Sequence, residues 1–129
     1  MKKISLSIIM AALTFSAGLT CTLQYRASVA RYQYDLLKAR ENRLRSELFQ
    51  MRKLIEQHVA DKGYTPASLN DLVESGYISE IPIDPVTGQR NWKEEKQYIC
   101  GLFVIFCGLI DVHSASIAIS SEGVRYDEW

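Results

Sequence analysis

The sequence predicts an α+β protein: a long N-terminal helix packed on a small antiparallel sheet. Three observations carry that prediction. Leu37, Leu44, Leu48, Met51 and Ile55 recur in steps of seven, four, three and four, with charged residues between them, which draws one apolar stripe along a helix. No Pro occurs before Pro66 and no Gly lies between Gly18 and Gly63, so nothing interrupts that helix back into the apolar N-terminus. Beyond Gly63 the pattern gives way to short apolar runs separated by Gly and Pro, the mark of strands and turns.

Met1-Lys2-Lys3 precedes Ile4–Leu23, twenty residues without a charge, which is long for a signal-peptide apolar region and suits a single membrane span. Residues 1–24 are therefore expected to be an uncleaved or minimally processed anchor. The alternative is cleaved export after the small residues Ser16-Ala17-Gly18. A short tail with two lysines stays inside, which places residues 25–129 outside the cytoplasm. Tyr25, Tyr32 and Tyr34 follow the anchor at positions suited to a membrane interface.

The domain that follows, 25–129, is expected to open with a helix over 25–60, supported by spacings such as Glu41 to Arg45. Asp61-Lys62-Gly63 ends it. Thr65 as N-cap and Pro66 at the first position begin a second helix over 66–75, with Leu69, Leu72 and Val73 on its apolar face and Gly76 closing it. Ile81–Pro85 is extended because two prolines forbid helix, and Val86-Thr87-Gly88 turns. The apolar run Ile99–Ile110 is too short to cross a bilayer and reads as buried strand or hairpin, in preference to a contact surface for a partner. Ile117–Ile119 and Val124–Tyr126 are short strand candidates on either side of Glu122-Gly123.

Fifteen basic residues balance fifteen acidic ones, which argues against a nucleic-acid binder. The charge is unevenly placed. Residues 24–60 carry eight basic and four acidic side chains, residues 62–129 five and ten, an arrangement that suits attachment to a bilayer. The arginines between residues 26 and 52 read as a solvated helix face with local salt bridges rather than as lipid-headgroup ligands. Three cysteines, Cys21, Cys100 and Cys107, are too few for a disulfide scaffold and lack the paired spacing of a zinc site. Cys100 and Cys107 either bridge the arms of a hairpin or lie reduced in the core; both readings stand.

Asp111, His113 and Ser114 supply the residue types of a hydrolytic triad, but neighbours on a strand point to opposite faces. No nucleophile elbow, metal motif or phosphate loop accompanies them. No catalytic, cofactor-binding or metal residue is assigned on this reading, and the chain is not expected to be an enzyme. His58, on the apolar stripe, reads as a half-buried helix residue rather than a ligand.

An ordered series of segments resembles the pseudopilins of bacterial type II secretion, in particular the major pseudopilin and its pilin-like relatives. It comprises Leu44–Gln57, Ala60-Asp61-Lys62-Gly63-Tyr64-Thr65-Pro66, Ser68–Ile78, Ile81–Gly88 and Asp111–Ser116, then Ser120-Ser121-Glu122-Gly123 and Trp129. The resemblance implies a pilin-like fold, in which the first half of the helix sits in membrane or filament core and the second half packs on the sheet. It implies a structural role in a type II secretion or type IV pilus-like assembly in the bacterial inner membrane, with the C-terminal domain periplasmic. The implied partners are other pseudopilin subunits, copies of itself or inner-membrane components of the secretion machinery. It also raises a calcium ion held by oxygens of the C-terminal loop, here Asp111, Ser114, Ser116, Glu122 and Asp127, although Ile117 stands where relatives often carry an acid. A solvated polar loop is the expected state, with no cofactor. The family's leader, ending in Gly and followed by a Glu at the fifth mature position, has no counterpart: Leu13 takes the Glu position and no acid precedes Asp35. That difference opens the alternative of a membrane-tethered accessory protein that keeps the fold without polymerising.

Overall fold

A computed structural model describes residues 6–100 and 105–129, without the side chains of residues 99, 100, 105 and 106. It has one long N-terminal helix, α1 (Leu6–Lys62), a short helix α2 (Leu69–Glu74), and an antiparallel pair β1 (Lys93–Cys100) and β2 (Ile105–His113). A 3-10 turn, Tyr126–Glu128, follows. The layout is α+β, as expected. The chain divides into two compact units, the first ending at Leu37 and the second comprising Lys38–Trp129.

In the first unit α1 leaves its apolar side chains uncovered, among them Leu6, Leu13, Phe15, Leu19 and Leu23. The hydroxyls of this stretch bond back onto their own helix: Thr14 donates to Ala11 O, Thr20 to Ala17 O and Thr22 to Leu19 O, at 2.8–3.0 Å. Satisfied within the helix, these groups do not demand water, so a Ser/Thr-containing segment remains compatible with an apolar surrounding. This stretch is long and apolar enough to cross a membrane. Lys2 and Lys3, which underlie the orientation expectation, lie outside the described residues.

In the second unit the stripe read from the sequence is the core. Leu44, Leu48, Met51 and Ile55 of α1 pack with Leu69 and Leu72 of α2, Leu109 and Val112 of β2, and Trp92 and Tyr126. Each buried side chain of this size contributes about 1.5–3 kcal/mol, which is why one stripe suffices to hold a small sheet. His58 is fully buried, not half-buried as expected; Tyr64 and Tyr77 pack edge-on and tilted against its ring.

The second helix is shorter than expected. It starts at Leu69 after Ser68, with backbone φ −163° and ψ 175°, and not at Pro66 after Thr65. The reason is a competing hydrogen bond: Leu109 N–H of β2 donates to Pro66 O at 2.7 Å, taking the carbonyl that a helix would need. Glu94 Oε1 accepts the Leu69 N–H instead of a cap from Ser68. Gly76 ends α2 as expected, with φ 78°, Tyr77 N–H donating to Leu72 O and Gly76 N–H to Val73 O. This is the left-handed C-terminal turn that glycine takes at least cost.

The apolar run Ile99–Ile110 falls on the two arms of a hairpin, one of its two expected forms. β1 begins at Lys93, within a charged stretch, because β2 supplies its ladder partners. Glu95 pairs with Asp111 but Lys96 pairs with Leu109, so Ile110 is an extra, bulged residue. The bulge resets the period of two: Leu109 and Val112 both reach the core, and Asp111 and His113 share the other face. Ile110 is exposed, so the run Ile99–Ile110 is not uniformly buried. Ile117–Ile119 and Val124–Tyr126 do not form strands; they meet in a single bridge, Ile119 to Arg125, and Ile117 and Ile119 face outward.

Candidate functional site

The side chains singled out in the sequence converge where β2 and the C-terminal segment meet the second half of α1. Arg52 of α1 lies at the centre. Its Nε donates to Asp111 Oδ1, while one terminal nitrogen donates to Val112 O at 3.0 Å and Trp129 O at 2.7 Å. Two turns earlier, Arg45 donates to Glu122 Oε2 at 2.6 Å and its guanidinium lies 4.3 Å from the Trp129 ring centroid. Arg45 and Arg52 therefore fasten the C-terminal segment and are not a merely solvated face. Arg43, paired to Glu47 at 3.8 Å, fits that expectation.

Glu41 does not bridge to Arg45. It is buried and receives Ser121 N–H and Ser121 Oγ–H, each at 2.6 Å, and Tyr126 Oη–H at 3.0 Å. The spacing of four pointed to a local pair; a buried acceptor eighty positions from its donor has no local signal.

The oxygens that the resemblance offers to calcium are engaged with other groups. Asp111 faces Arg52, Glu122 faces Arg45 and Lys38, and Asp127 faces Arg125 and Lys93. Ser114 is buried and donates to Asp84 Oδ2, and Ser116 Oγ accepts Ala118 N–H at 3.3 Å. Asp84 is itself fully buried, with Oδ1 accepting Val86 N–H at 2.7 Å, which fixes the turn after the two prolines. With its hydroxyl committed to Asp84, Ser114 stands apart from His113, and Asp111, His113 and Ser114 do not form a relay.

What the strand register brings together is Glu95, Asp111 and His113. Glu95 is opposite Asp111 across the ladder, and His113 is two residues along the same face of β2. His113 Nε2 lies 3.2 Å from Glu95 Oε2 and 3.7 Å from Asp111 Oδ2. Its Nδ1 lies 2.7 Å from Trp129 O, an acceptor only, so Nδ1 carries a proton and orients the ring. Asp111 and His113 were recognised in the sequence as chemistry-bearing; Glu95 was missed, because the bulge at Ile110 decides which residue faces it.

Cys107 is a free, half-buried thiol opposite Tyr98, and Cys100 is opposite Ile105. The two cysteine positions are thus diagonal on the ladder, not directly opposite. The side chain of Cys100 lies outside the described residues. Tyr25, Tyr32 and Tyr34 are exposed along α1.

No family model, curated protein or solved structure matches this chain.

Proposed function

We propose that the protein is a structural, pseudopilin-like component of a type II secretion or type IV pilus-like assembly. On this reading it is anchored once in the bacterial inner membrane, holds its C-terminal domain in the periplasm, and acts through helix packing rather than catalysis. One observation carries the reading. A single unbroken helix of 57 residues exposes apolar side chains along its first part and supplies the core stripe of the C-terminal unit with its last part. An uncovered apolar helix needs a dry partner, and lipid serves a monomer as packed copies serve a fibre. Partners are other pseudopilin subunits, further copies of the chain, or inner-membrane components of the machinery.

A second reading rests on a different observation: no acidic residue lies between Ile4 and Tyr34. A buried filament core loses the charge pairing that sets register between neighbouring subunits when that acid is missing, which favours a tethered accessory protein with the same fold. Mass spectrometry of the mature N-terminus, with electron microscopy of sheared membrane fractions, separates the two. Short fibres containing the protein support the filament role. An intact Met1 in membrane-bound protein without fibres supports the tethered form, whereas a cut near residue 18 removes the anchor and points to cleaved export. Quantitative release as a soluble domain overturns both.

A further inference from the structure

We infer that Glu95, Asp111 and His113 form a binding site for a zinc-class divalent transition metal on the outer face of the hairpin. The geometry points to it in three steps.

The spacing fits first. Zinc bonds to imidazole nitrogen and carboxylate oxygen at about 2.0–2.2 Å, so the edges of a tetrahedron of such ligands are about 3.3–3.6 Å. His113 Nε2 is 3.2 Å from Glu95 Oε2 and 3.7 Å from Asp111 Oδ2. One atom from each of the three side chains lies within 4.8 Å of the others. The three donor atoms are thus close enough to one another to share one ion.

The imidazole is oriented for the task. Nδ1 donates to Trp129 O at 2.7 Å, which leaves Nε2 directed at Glu95 Oε2 and Asp111 Oδ2. A ring nitrogen facing carboxylate oxygens needs a proton or a metal between them. The arrangement of ligating nitrogen outward and donating nitrogen held by a main-chain oxygen is the one that metal-bound histidines adopt.

Arg52 completes the arrangement. It holds Asp111 by Oδ1 and also reaches Trp129 O, so one side chain positions both the carboxylate and the acceptor that fixes His113. Oδ2 of Asp111 is the oxygen left toward His113. The guanidinium charge opposes a dication nearby, so Arg52 moderates affinity as it supplies order. One imidazole with two carboxylates gives a mixed nitrogen and oxygen donor set suited to zinc and its neighbours. It is too small for calcium, which takes six to eight oxygens. Three protein ligands leave a fourth position for water or for a side chain of another molecule.

The test is calorimetric titration of the untagged full-length chain in detergent micelles with Zn2+, Ca2+ as the control, and Co2+ as a spectroscopic probe. One saturable Zn2+ per chain is expected, with no saturable Ca2+. Co2+ gives visible bands of four-coordination and no near-ultraviolet thiolate band, which rules out Cys21, Cys100 and Cys107 as the ligands. Glu95→Gln, at an exposed position where folding is insensitive, weakens Zn2+ at least about tenfold, and His113→Gln does the same. Circular dichroism checks that each variant retains its fold. Absence of saturable Zn2+ binding overturns the site and leaves a histidine–carboxylate hydrogen bond. A thiolate band, or Zn2+ affinity unchanged in Glu95→Gln, overturns it as well. None of these outcomes depends on whether the protein enters a filament.

Discussion

Ser121 grips Glu41 with both of its donors, backbone N–H to Oε1 and Oγ–H to Oε2, each at 2.6 Å and eighty positions apart in the chain. Tyr126 Oη–H adds a third bond at 3.0 Å, and Lys38 Nζ lies 3.4 Å away. Burial alone pushes the Glu41 carboxyl up, but the bonds from Ser121, Tyr126 and Lys38 outweigh it and lower the group from 4.5 to about 2. This carboxylate is the fastening point of the C-terminal segment on α1.

Acid should therefore loosen the domain through Glu41. Its folded value lies below its unfolded one, so the folded state binds fewer protons between the two. The stabilisation is complete above about 4.5 and is lost as pH falls toward about 2. The loss is on the order of 3 kcal/mol. Denaturant unfolding of the detergent-solubilised chain across that window should show this slope. In Glu41→Gln the slope should flatten, with lower stability at neutral pH because two donors lose an acceptor. An acid slope equal to the parent's would show that other groups carry it.

The stripe on α1 should separate sharply from its exposed neighbours. Leu44→Ala removes a fully buried side chain and should cost about 2–5 kcal/mol. Phe49→Ala, on the same helix but exposed, should stay within about 0.5 kcal/mol. Paired thermal melts of the two variants measure the contrast, and a large loss at Phe49 would mean that another surface covers it.

The sequence made legible whatever is periodic or locally capped. The steps of three and four placed Leu44, Leu48, Met51 and Ile55 in the core, and Gly63 and Gly76 ended their helices where expected. Three features were hidden because their causes are distant in sequence. The start of α2 is set by Leu109 drawing on Pro66 O, and the burial of Glu41 by donors eighty positions away. The third is the bulge at Ile110, a backbone event that no side-chain pattern announces. It decided the candidate site: without it Leu109, Asp111 and His113 would share one face, and the carboxylate and imidazole would be driven into the core.

Gly108 should tolerate no side chain. A Cβ there would collide with the Oγ1 and Cβ of Thr65, where the segment before α2 is drawn against β2 by the Leu109–Pro66 bond. Gly108→Ala should cost about 1–3 kcal/mol, the range for overpacking. Adding Thr65→Gly removes the colliding atoms and should recover part of that loss. A double-mutant cycle reads the coupling, and strict additivity would show that the two positions do not meet.

Salt should distinguish the two acidic fastenings of the C-terminal segment. Arg45 beside Glu122 holds its carboxyl below the ordinary range, with Lys38 assisting and burial opposing slightly. Glu122 and Arg45 are both well exposed, so their attraction is screened as the Debye length shrinks from about 10 Å at 0.1 M salt to about 3 Å at 1 M. The destabilisation caused by Glu122→Gln should therefore be small at low salt and vanish at high salt. That of Glu41→Gln should persist, because its partners are short hydrogen bonds beneath the surface. Arg45→Ala should cost more than Glu122→Gln at every ionic strength, since it also removes the guanidinium from the Trp129 ring. Unfolding midpoints of the three variants at low and high salt test the ordering. An Arg45→Ala effect that disappeared with salt would leave the ring contact without a role.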